Sequence, residues 1–103
     1  MTETTAAARS VAQVPTALAE RYLAQLCKHF AHRLPVAHDG PAGRITFPET
    51  GICRLEAKDG VLTLHAESPD AEALARLQDV VARHLARFAF RAPPEVVWTP
   101  EAA

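Results

Sequence analysis

The chain has 103 residues, a formal net charge of -1, 49% hydrophobic residues and 22% charged residues. Those values describe one globular domain with apolar content for a core, and they exclude a chain disordered as a whole. They also lack the basic excess of a nucleic-acid binder, and no apolar run approaches the ~18 residues of a membrane span.

The opening MTETTAAARS has no apolar h-region, so no signal peptide is expected and the cytoplasm is the expected location. In that compartment the two cysteines are reduced thiols rather than a structural disulfide. Residues 1–9 are expected to be a flexible tail, residues 10–100 a single domain, and residues 101–103 a second short tail.

Ser10-Val11-Ala12-Gln13-Val14 alternates and ends at Pro15, which predicts a first strand. Thr16 offers an N-cap. Apolar residues at Ala19, Leu23, Leu26, Cys27, Phe30 and Leu34 then mark one face of a helix from Ala17 to Leu34, stopped by Pro35. PVAHDGPAGR, rich in proline and glycine, predicts a loop. Arg44-Ile45-Thr46-Phe47 predicts a short strand and Pro48-Glu49-Thr50-Gly51 a turn.

In ICRLEAKDGVLTLHAE, Asp59-Gly60 separates two alternating runs, the strongest short-range hairpin signal. A two-residue turn sets Ala57 against Leu62, Leu55 against Leu64 and Cys53 against Ala66, all apolar. Glu56 against Thr63 and Arg54 against His65 then form the polar face. Ser68-Pro69-Asp70 predicts a cap with proline at the first helical position. The second helix runs to about Phe88 with a stripe of Ala73, Leu74, Leu77, Val80, Val81, His84 and Phe88. The stretch FRAPP ends it, and Glu95-Val96-Val97-Trp98-Thr99 predicts a last strand. The order β-α-β-β-β-α-β implies an α+β domain, with two helices packed on one face of a mostly antiparallel sheet.

The segment LCKHFAHRL concentrates one thiol and two imidazoles. On a helix Cys27 faces the core, His32 faces solvent, and His29 sits at the stripe's edge near Tyr22 and Arg33. Cys27 and His29 diverge, so this segment alone makes no Cys-His-His site, although His29 and His32 are spaced to chelate one ion. Cys27, Cys53 and His84 all point inward, which is the pattern for a metal site needing one further ligand or for a thiolate activated by histidine. The simpler alternative is a core with two inert buried thiols. The outer sheet face carries Arg44, Thr46, Arg54, Glu56, Thr63 and His65. Arg54 opposite His65 is suited to a carboxylate or phosphate, with a solvated face as the simpler alternative. Arg83, Arg87 and Arg91 form a ridge that helix-dipole complementation accounts for in part. No glycine-rich phosphate loop is present.

YLAQLCKHFAHR, GRITFP, GICRLEA, DVVARHLARFAFR and the tryptophan in VVWT together resemble the bacterial domain-of-unknown-function family numbered 2218, from about Val11 to Thr99. Arg33 stands where that family typically has lysine. The resemblance implies a small stand-alone or fused domain without established activity. Related domains are joined to siderophore-interacting flavoprotein reductase modules, which implies iron handling. It directs attention to Cys27, His29, His32, Arg33, His84 and Arg87.

The expected function is a non-enzymatic binding or accessory domain linked to iron, siderophore or haem metabolism. Its expected ligand contacts are Tyr22, His29, His32, Arg33, His84 and Arg87, and its candidate metal ligands Cys27, His29, His32, Cys53 and His84. The cofactor is a transition metal or none. The expected partners are a small ligand or a siderophore-related reductase, with no nucleic acid and no membrane, in a monomer or weak homodimer. A thiol-dependent enzyme using Cys27 or Cys53 with His84 is one alternative. A module that docks a reductase through the arginine ridge is the other.

Overall fold

The structure, a computed structural model, describes residues 8–89 and 95–101. Its elements run β1 (Ala8–Pro15), α1 (Ala19–Phe30), β2 (Val36–Asp39), β3 (Ala42–Phe47), β4 (Gly51–Lys58), β5 (Val61–Ser68), α2 (Ala71–Phe88) and β6 (Thr99–Pro100). The strands form one antiparallel sheet in the order β2-β3-β4-β5-β1-β6. α1 packs over the β2–β5 side and α2 over β5, β4 and β1. The α+β architecture is therefore the expected one, with one strand more.

The β4–β5 hairpin has the predicted register, from Lys58 opposite Val61 to Cys53 opposite Ala66. Asp59 and Gly60 both adopt positive φ, 53° and 74°, as in a type I′ turn, whose twist matches that of the flanking strands. Leu55 and Leu64 are buried, whereas Arg54 and Glu56 are exposed and His65 is half-buried. Core and solvent faces thus lie where the alternation puts them. Leu23 and Leu26 of α1 and Leu77, Val81 and Leu85 of α2 seal the inner face. Leu85 is the last residue of the second helix's buried stripe, a position the predicted stripe omitted.

The extra strand arises within the expected loop PVAHDGPAGR. Asp39 pairs with Ala42 across Gly40-Pro41, and Gly40 has φ 58°. Glycine at the first central position is the mark of a two-residue hairpin turn of type II′. The glycine and proline mark a reversal inside a β-hairpin rather than an irregular loop.

Element ends also move, each for a local reason. β1 begins at Ala8, two positions earlier than expected, because Ala8 and Arg9 continue the ladder opposite Ser68 and Glu67. α1 starts at Ala19: the Thr16 hydroxyl accepts from the Leu18 amide at 3.1 Å and shapes a turn before the helix. It ends at Phe30 rather than Leu34, because the amides of Arg33 and Leu34 both donate to the Phe30 carbonyl and tighten the chain into turns. At α2 the cap is Asp70, whose carboxylate accepts from the Ala73 amide at 2.8 Å. Ser68 is committed to the β5–β1 ladder, so Pro69 precedes the cap and is not the first helical residue. The expected breaker FRAPP falls largely on residues 90–94, outside the described residues. The last strand is Thr99–Pro100 instead of Glu95–Thr99. Val96 and Trp98 pack against the core without joining the ladder.

Candidate functional site

The end of α1, the turn after it, the last residue of β3 and the C-terminal half of α2 enclose a cleft of about 520 Å³. His29, His32, Arg33, His84 and Arg87 all line it, together with Phe30, Leu34, Phe47 and Val80. Five of the six expected ligand contacts therefore converge in one place. Tyr22 is not among the cleft residues; it is half-buried against the core, about two turns before the cleft on α1.

His29 and His84 meet across the two helices with ring centroids 4.9 Å apart. Phe30 lies 4.8 Å from His84 and 5.1 Å from Phe47, and Phe88 lies 5.7 Å from His29. Edge-on and tilted contacts of this kind are the favourable arrangements for such rings. His84 Nδ1 is 2.7 Å from the Val80 carbonyl. A carbonyl can only accept, so Nδ1 carries a proton, and Nε2 is the ring nitrogen left to accept or coordinate whenever the ring is uncharged. Partial desolvation, followed by the positive charge of His84, Arg87, His32 and Arg33, pushes the His29 imidazole below its ordinary pKa. The cleft thus combines aromatic surface, an imidazole whose Nε2 is not engaged by the Val80 carbonyl, and two guanidinium groups.

The inward-facing Cys27, Cys53 and His84 do not form the expected trio. Among the described residues no group of three His, Cys, Asp or Glu side chains is arranged to hold a metal ion. His84 is drawn to the end of α1, while both free sulfurs are buried in the sheet–helix core. His32 lies beyond the helix end, so His29 and His32 are not the one-face helical pair that the spacing implies. Burial raises the Cys27 thiol pKa, and burial together with the nearby Cys27 pushes the Cys53 thiol up to about 12. A thiol held protonated in apolar surroundings is a poor nucleophile, which removes the basis for a Cys-His catalytic pair.

The arginine ridge also divides. Arg83 is exposed and pairs with Asp79 at 2.8 Å, whereas Arg87 lines the cleft; Arg91 lies outside the described residues. Phe30, Leu34, Phe47 and Val80 line the cleft without having been among the expected contacts. The i, i+4 spacing of Val80 and His84 was the available signal for the ring-to-carbonyl bond. For Phe47 no local signal existed, because its place in the cleft depends on how the sheet meets the helices.

Among the described residues no helix is long and apolar enough to cross a membrane. The family described as "uncharacterized protein conserved in bacteria (DUF2218)" matches residues 11–99. The NMR structure of PA4090 from Pseudomonas aeruginosa is similar, with a TM-score of 0.77 and 36% identity, covering 93% of this chain and 99% of that one. No curated protein matches the chain.

Proposed function

The chain belongs to the DUF2218 family of bacterial proteins, and from that premise we propose that it is a non-enzymatic accessory domain that binds an anionic aromatic iron chelate, a haem or a catechol-bearing siderophore, in the cleft between its helix ends. The observation that carries this reading is the His84 arrangement. Its Nδ1 donates to a backbone carbonyl at 2.7 Å, the support that metal-binding imidazoles commonly have, and its ring packs against His29 and Phe30. Arg33 and Arg87 supply planar donors for carboxylate or catecholate oxygens. The scarcity of protein ligands also discriminates. A bare ion needs three or four donors, whereas a metal that arrives already chelated needs one imidazole or none. The two free thiols fit a reducing compartment, so we place the domain in the cytoplasm, with a reductase that accepts the chelate as its partner class.

Titration of the purified protein with haemin and with a ferric tris-catecholate tests the proposal. One-to-one binding of either, weakened by His84→Ala and by Arg87→Gln, is the expected result; a Soret shift lost in His84→Ala identifies haem. Absence of stoichiometric binding of both chelates, or binding by the two variants as tight as that of the wild type, defeats it.

A further inference from the structure

The face of the sheet opposite the helices carries a second hollow, of about 410 Å³, near its β2–β3 end. Register explains its chemistry. Ala37 lies opposite Arg44, Arg44 opposite Arg54, and Arg54 opposite His65, so one transverse row crosses β2, β3, β4 and β5. Directly opposed like charges in an antiparallel pair are destabilising, and Arg44 against Arg54 is such a pair. Arg54 is partly compensated by Glu67 at 3.3 Å, and His65 stands between Glu56 at 3.9 Å and Glu101 at 3.4 Å. Among the described residues Arg44 has no carboxylate within ion-pair distance. The row's weakest point is therefore Arg44, which has no carboxylate partner among the described residues and lies directly opposite a second arginine on the next strand.

The surface is concave because Ala37 and Ala42, on the same face as Arg44, line it with no more than a methyl group each. It offers an apolar floor beside two planar cationic forks, and such forks match a carboxylate through paired N–H donors. Asp39 and Glu56 also line the hollow, and their charge disfavours polyanions such as polyphosphates. We infer that Arg44 and Arg54 clamp the carboxylate of a small organic acid whose apolar body lies over Ala37 and Ala42. This site is separate from the interhelical cleft and does not depend on the function proposed for that cleft.

Sodium benzoate titrated into the isotopically labelled protein, with inorganic phosphate and chloride at matched ionic strength as comparison arms, tests this directly. Benzoate is expected to shift the amides of Ala37, Ala42, Arg44 and Arg54 saturably, with affinity falling about tenfold or more in Arg44→Gln, a loss of about 1.4 kcal/mol or more. Without added acid, Arg44→Gln is expected to melt at or above the wild-type temperature, since it relieves a repulsion, and to lose the benzoate-dependent rise. Equal shifts with chloride or phosphate, shifts confined to the His29 and His84 region, or undiminished binding by Arg44→Gln would each overturn the assignment.

Discussion

At the scale of single residues, the same burial that makes Cys27 and Cys53 good core residues makes them poor reagents. Free cysteine behaves as a small apolar side chain, and both thiols lie against the sheet with exposures of 1% and 0%. A β-carbon placed on Gly43 would come within 2.6 Å of the Cys27 sulfur, so there is no spare room around it. With thiol pKa values raised, neither is expected to react with a disulfide reagent in the folded protein from neutral to mildly alkaline pH. Both should label stoichiometrically once denaturant unfolds the chain. Rapid labelling of the native protein would show that a sulfur is accessible and reopen the thiol-enzyme alternative. His84 illustrates the opposite case: periodicity places it on an apolar stripe, and its bond to Val80 makes that position tolerable for a polar ring.

At the scale of elements, the β4–β5 hairpin is where local and non-local forces agree. The Asp59-Gly60 turn selects a two-residue connection, and the alternation allows only one register that buries Leu55, Leu62 and Leu64 together. Leu64 is fully buried, so Leu64→Ala should cost about 2–5 kcal/mol, from lost transfer energy and the cavity left behind. Denaturant unfolding measures this, and a loss below ~1 kcal/mol would contradict the register. The helix ends are less legible, because proline, serine, threonine and aspartate lie close together and each is a plausible terminus. At α2 the outcome is decided by Asp70: Ser68 is still a strand residue, and the next carboxylate caps the helix, a contact typically worth about 1 kcal/mol. At the end of α1 the turn through Ala31–Leu34 carries His32 and Arg33 into the cleft, which a helix continued to Leu34 would not explain.

At the scale of the whole molecule, the two helices meet each other where His29, His84, Arg33 and Arg87 converge, so stability is coupled to the charge in that cleft. His29 has its folded-state pKa lowered from 6.5, which means the unfolded chain binds the proton more readily. Linkage then preserves stability above about pH 6.5 and removes it as pH falls from there through the lower folded value. Urea midpoints measured through this acid range should decline in the wild type, and the part of the decline due to His29 should be absent in His29→Gln. An identical decline in both proteins would show that the His29 charge is not felt by the fold. Above this range the two proteins should have parallel, flat profiles.

The sequence by itself determined the α+β class, the hairpin and its register, the buried sides of the strands and most of each helix's core face, because these follow from local periodicity and turn chemistry. It also carried the family, through motifs spread along the chain. Tertiary structure alone decided which polar residues share a site. His29 and His84 are far apart in sequence and meet only because both helices cross the same sheet. Cys27 and Cys53 point inward as their patterns require, yet the core that receives them also separates them from His84. Facing inward is a property of one element, whereas meeting at a point depends on the relative placement of several, and no single stretch of residues encodes that.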